Sequence, residues 1–191
     1  KTTYTYDDEG RLIKVRLADG TETVSEAQYV YGIQNKDVSG NIISITDKTI
    51  NALGNISETV MNGAGQTLSV EDKQSTNGIK TTYEYDASGN VTKEIKSDGS
   101  YFVYHYNKKN MCTLKFEYNV NNIWVKLTNY MYNDDDMLIK TVDYNVKSNR
   151  PTPYRSTIYE YDELKRLVGY SEINNSSQPT EQEINENKLV Y

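Results

Sequence analysis

The sequence predicts an all-β fold: an antiparallel meander of successive β-hairpins forming one large twisted or curled sheet, an open half-barrel or shell segment. Three observations predict it. The 191 residues contain 18 Tyr, 20 Asn and 19 Thr against only 5 Ala, a composition that favours strands and turns over helices. The pattern Tyr-x-Tyr occurs at six places, where random placement at this tyrosine frequency would give about two, so the spacing marks a period-2 strand face. Turn-forming Asp/Asn and Gly residues follow most of those pairs at a fixed distance.

Along the chain, Tyr4-Thr5-Tyr6-Asp7-Asp8-Glu9-Gly10-Arg11-Leu12 and Tyr83-Glu84-Tyr85-Asp86-Ala87-Ser88-Gly89-Asn90-Val91 share one template. The Asp accepts hydrogen bonds from backbone just ahead of it, and the Gly three residues later takes positive φ, as in a type I turn closed by a bulge. Both units run on to a second turn, at Asp19-Gly20 and Asp98-Gly99, so each is strand, turn, strand, turn. Tyr29/Tyr31 is a further pair without the template. Between residues 37 and 70 the tyrosines vanish while turns persist in Asp37 to Ile42, Asn51 to Ile56 and Asn62 to Leu68, the degenerate part of an array.

Later copies keep the frame and lose the glycine. The Tyr104/Tyr106 hairpin places Asn110 there and the Tyr130/Tyr132 hairpin places Asp136, residues that tolerate left-handed backbone. The Tyr159/Tyr161 hairpin places Lys165 there, a poor fit, so a different turn is expected. From Met111 to Tyr118, alternation puts Cys112, Leu114, Phe116 and Tyr118 on one side and Thr113, Lys115 and Glu117 on the other, before Asn121-Asn122 turns the chain. Residues 1–173 read as one repeat domain and 174–191 as a polar tail or terminal strand.

The template at Tyr4 to Leu12 and at Tyr83 to Val91, with the tyrosine-poor runs Asn51 to Ile56 and Asn62 to Leu68, resembles the rearrangement-hotspot (RHS) or YD-repeat family over about residues 1–170. That resemblance implies a scaffold: hairpin arrays that curl into a hollow β-shell around a cargo domain in bacterial toxins and cell-surface proteins. The self-cleaving segment that closes full shells bears an Asp-Pro motif, and no Asp-Pro dipeptide exists here. Secreted lipoproteins of gut bacteria with Tyr-Asp-rich hairpins and a porin-like sheet are a second resemblance. The implied partners are flanking repeats or an enclosed toxin or effector domain of a longer parent protein, at a secreted or cell-surface location. The opening on Lys1 reads as a processed product or an excised segment.

Composition also bounds function. A net charge of −6, with Lys108-Lys109 as the longest basic run, argues against nucleic-acid partners. No apolar stretch of 18 residues is present to span a membrane as a helix. The lone Cys112 excludes an internal disulfide and reads as a small buried hydrophobe. His105 is the one histidine and points away from its flanking tyrosines; seven residues from Cys112 across a turn, it could neighbour the thiol on a hairpin, but without a third orienting group the two are not read as a dyad. The clusters Asp7-Asp8-Glu9 and Asp134-Asp135-Asp136 fall in turns and lack calcium-loop spacing. Neither a catalytic residue, a metal ligand nor a cofactor is assigned, and the reading is a non-catalytic structural module. The alternative is a carbohydrate-binding surface that stacks sugars on Tyr104, Tyr106, Tyr130 and Tyr132, with Tyr and Asn side chains as hydrogen-bonding groups.

Overall fold

The computed structural model describes residues 1–73, 78–174 and 188–190, the last three by backbone alone. Every element is a strand: β1 Thr2–Tyr6, β2 Leu12–Asp19, β3 Glu22–Lys36, β4 Ile42–Ile50, β5 Ile56–Met61, β6 Thr67–Asp72, β7 Ile79–Tyr85, β8 Val91–Ile95, β9 Tyr101–Tyr106, β10 Cys112–Tyr118, β11 Trp124–Tyr132, β12 Leu138–Lys147, β13 Arg150–Tyr161, β14 Leu167–Asn174 and β15 Lys188–Val190. Sheet order follows chain order from β1 to β15, the antiparallel meander expected. Most of the tail expected at 174–191 lies outside the described residues, and β15 pairs with β14. Two compact units divide the chain, Lys1–Glu84 with Glu94–Ser97 and Tyr85–Lys93 with Asp98–Tyr191.

One turn recurs nine times among the described residues, opening at Asp7, Asp37, Asn51, Asn62, Asp86, Asn107, Asn119, Asn133 and Asp162. In each, the first residue's amide donates to the carbonyl four residues on, and the fourth residue's amide donates back to the first residue's carbonyl. In each, the first side chain's Oδ1 also accepts the amides two and four residues ahead, as Asp7 does from Glu9 and Arg11. The fourth residue takes positive φ whether it is Gly10, Asn110, Asn122, Asp136 or Lys165.

Lys165 therefore corrects an expectation. Its φ is 62° and its turn is the same as the others. Left-handed backbone costs a non-glycine residue about 1–2 kcal/mol. Against that stand the two amides that Asp162 accepts and the Arg166 guanidinium that donates to Asp162 Oδ2 at 2.7 Å. The opening carboxylate or amide holds the turn, and glycine at the fourth place only makes it cheaper.

Seven of these turns carry a bulge, those opening at Asp7, Asp37, Asn62, Asn107, Asn119, Asn133 and Asp162, so the strand register shifts by one step beside the turn, as in Tyr132↔Leu138 and Tyr161↔Leu167; the Asn51 turn has none, and Ile50 faces Ile56 in unbroken register. The bulge corrects a second expectation. Cys112 faces Tyr106, and two residues later Leu114 faces His105. Alternation is broken at the start of β10, so Cys112 shares the tyrosine face while Leu114, Phe116 and Tyr118 lie on the other.

Within each unit the paired tyrosines occupy one face. In the first, Tyr4 faces Val15, Val15 faces Ala27, and Tyr29 follows two residues along β3. In the second, Tyr104 faces Lys115 and Lys115 faces Thr128, two residues from Tyr130. A strand meander has few layers to cover it, and burial shows this. Among the described residues the buried apolar ones are Val142, Val146 and Ile173, whereas Ser44, Thr46, Ser69, Thr141, Ser156, Thr157 and Ser171 are also buried.

Candidate functional site

The tyrosine face of the second unit is where polar chemistry converges. Its second tyrosines are engaged with the backbone. Tyr106 donates its hydroxyl to the Val91 carbonyl at 2.8 Å, Tyr132 to Cys112 at 2.8 Å and Tyr161 to Leu138 at 2.9 Å; in the first unit Tyr31 donates to Leu12 at 3.0 Å. In every case the acceptor is the first residue of the preceding strand, directly after the preceding turn. Tyr106, Tyr132 and Tyr161, each directly ahead of a turn, thus tie down the exit of the neighbouring turn on the same edge of the sheet. Burial raises the pKa of the Tyr106 and Tyr132 phenols, which keeps these donors protonated.

The first tyrosines differ. Tyr104 packs against Phe102, with the Lys115 ammonium 3.9 Å from the Phe102 ring centre and 5.7 Å from that of Tyr104. Tyr130 is the most enclosed, and burial pushes its pKa up to about 12. The four tyrosines proposed as a sugar platform share one face and border three depressions along it: Tyr104 and Tyr106 with Asn90 and Thr92, Tyr132 beside Asn133, and Tyr130 a third.

That third depression, of about 450 Å³, lies over β11 to β14. Thr141 and Thr157 form its floor, at 8% and 7% exposure, and Tyr130, Tyr159 and Tyr170 are its walls. At one end Asp143 faces Arg155 across the β12/β13 ladder. Asp143 Oδ2 accepts from Arg155 Nε at 2.8 Å and lies 2.7 Å from Nη2, while Asp143 Oδ1 accepts the Thr128 hydroxyl at 2.7 Å. The carboxylate beside it raises the Arg155 pKa. Glu172 lies 3.8 Å from Arg155 Nη1. Asp143 and Arg155 escaped the sequence reading because twelve residues separate them, and only strand register sets them opposite.

The remaining candidates are accounted for by the fold. His105 sits on the opposite face from Cys112, its ring 5.1 Å from Phe116. Burial raises the Cys112 thiol pKa, which lowers its reactivity. Asp135 binds Lys165 at 2.8 Å and Asp136 binds Lys109 at 2.6 Å, lacing the Asn133 turn to the turns on either side. Among the described residues no group of three or more His, Cys, Asp or Glu could hold a metal ion, and no helix is long and apolar enough to cross a membrane.

Comparison with known proteins identifies the repeat. The family described as RHS Repeat matches residues 62–101, from the tyrosine-poor turn at Asn62 through the Tyr83/Tyr85 hairpin. Those forty residues are similar to an RHS repeat. No curated protein matches the sequence of the chain. Among solved structures the chain is similar to TcdB2-TccC3, at 14% identity and a TM-score of 0.57, and to TcdB2-TccC3-Cdc42, at 14% identity and 0.56. Each alignment covers 87% of this chain and 9% of the other, so the likeness is one of fold over a small part of a much longer chain.

Proposed function

We propose that this chain is a structural module, a segment of a β-shell of a bacterial secreted or cell-surface protein that encloses or displays a partner domain. The observation that carries the proposal is the recurrence along the described chain of one turn, nine times, and of one tyrosine-to-carbonyl bond, four times, a device that adds repeats without changing their geometry. The fold likeness to TcdB2-TccC3 supports it. On this reading the partners are flanking repeats and an enclosed domain, and the chain itself performs no catalysis. The comparisons lend a carbohydrate-binding role no support.

Among the described residues the main contacts of each strand are with its neighbours in the sheet, so an isolated segment is expected to leave strand edges open and to unfold in stages. Sedimentation velocity across a concentration series and urea unfolding followed by two probes test this. Concentration-dependent association with non-coincident transitions is expected. A strict monomer that unfolds in one coincident transition would overturn the proposal.

A further inference from the structure

The depression over Thr141 and Thr157 departs from the repeat around it in setting a hydrogen-bonded group, Thr128, Asp143 and Arg155, beside two buried threonines. Register places Tyr130, Thr141, Thr157 and Glu172 in one row across β11 to β14, and Lys115, Thr128, Asp143 and Arg155 in the next. Neighbouring strands lie about 4.8 Å apart, so the two threonines stand side by side as a hydroxyl-bearing floor. Tyr159 faces Tyr170 beyond them. A volume of about 450 Å³ lies in the usual range of small-molecule sites.

Charge narrows the occupant. Lys115 and Arg155 are offset by Asp143 and Glu172 within the same lining. Arg155 is bound to Asp143, and Lys115 stands over the Phe102 ring. Neither cation is left seeking an anion. What the lining offers is a paired guanidinium and carboxylate with unused N–H groups and lone pairs, hydroxyls below and ring faces at the sides. Those features suit adjacent hydroxyls that both donate and accept, carried on a ring whose C–H face packs against tyrosine.

We propose that this depression binds the ring of a neutral saccharide. The site differs from a flat tyrosine platform, since of Tyr104, Tyr106, Tyr130 and Tyr132 only Tyr130 lines it. It is independent of the scaffold reading, which rests on the hairpins and stands if no sugar binds.

The test is an NMR titration of the intact chain with the methyl glycosides of glucose, galactose, mannose and N-acetylglucosamine, and with glucuronate as an anionic probe. At least one neutral glycoside is expected to shift the Thr141 and Thr157 methyl signals saturably. Thr157→Val, which keeps the shape and removes the hydroxyl, is expected to weaken that binding about tenfold, while Thr92→Val in the neighbouring depression leaves it unchanged. No saturable shift with any neutral glycoside, tighter binding of glucuronate than of all four, or equal weakening by Thr92→Val would overturn the proposal.

Discussion

The Tyr132 hydroxyl donates to the Cys112 carbonyl at 2.8 Å and so fastens the end of β11 to the start of β10. The same bond joins Tyr31 to Leu12, Tyr106 to Val91 and Tyr161 to Leu138. It explains why the array uses tyrosine where phenylalanine would pack as well: the ring supplies strand-face area and the hydroxyl reaches a carbonyl that the bulge leaves outside the ladder.

Tyr132→Phe is therefore expected to cost about 1 kcal/mol, the net worth of one hydrogen bond. Tyr118→Phe, whose ring stacks on Tyr101 at 4.6 Å, keeps its stack and should change stability by less than about 0.5 kcal/mol. Urea midpoints of the two variants check this, and equal losses would count against the hydroxyl's role.

At the Asp162 turn, Lys165→Gly should stabilise by about 1 kcal/mol by removing the left-handed strain, less the small contribution of the exposed Lys165–Asp135 pair. Asp162→Ala should lower the midpoint by more than Lys165→Gly raises it. Asp162→Asn should come close to the parent, because Asn133 makes the same two amide bonds in its own turn. Denaturation of the three variants side by side decides the order.

Stability should depend on pH at both extremes. Side-chain bonds from Arg11, Asn41 and Asn90 lower the pKa values of Asp7, Asp37 and Asp86, and the Arg166 amide lowers that of Asp162, from an ordinary 3.8. A depressed carboxylate stabilises the fold above its unfolded value, and that contribution is lost as pH falls from about 4 through the folded values. Tyr130 works in the opposite sense. Its pKa of about 12 against an ordinary 10.0 means stability is lost as pH rises from 10 through 12. Denaturant midpoints against pH should flatten at the acid end in an Asp86→Asn variant and at the alkaline end in Tyr130→Phe.

Ser171 is fully buried and its hydroxyl lacks a hydrogen-bond partner. Ser171→Ala removes that unsatisfied group with little change of volume and should raise stability by about 1 kcal/mol, read from the urea midpoint. A fall of similar size would show that the hydroxyl is satisfied in solution.

Local chemistry was legible in the chain from the start. The doubled tyrosines marked a strand face, and an Asp or Asn opening each turn set where one strand ended, because its side chain bonds amides only two and four residues away. The weight placed on glycine was misplaced at Lys165, where the energy lies in those short-range bonds. What lay beyond reach depended on register. The bulge after the Asn107 turn decides which face Cys112 takes, the carbonyl that Tyr132 meets belongs to the preceding strand, and Asp143 finds Arg155 only when β12 and β13 are laid side by side. Pairing partners across strands follow from summed ladder bonds and bulges, not from residue type, so the depression over Thr141 and Thr157 exists only in the folded sheet.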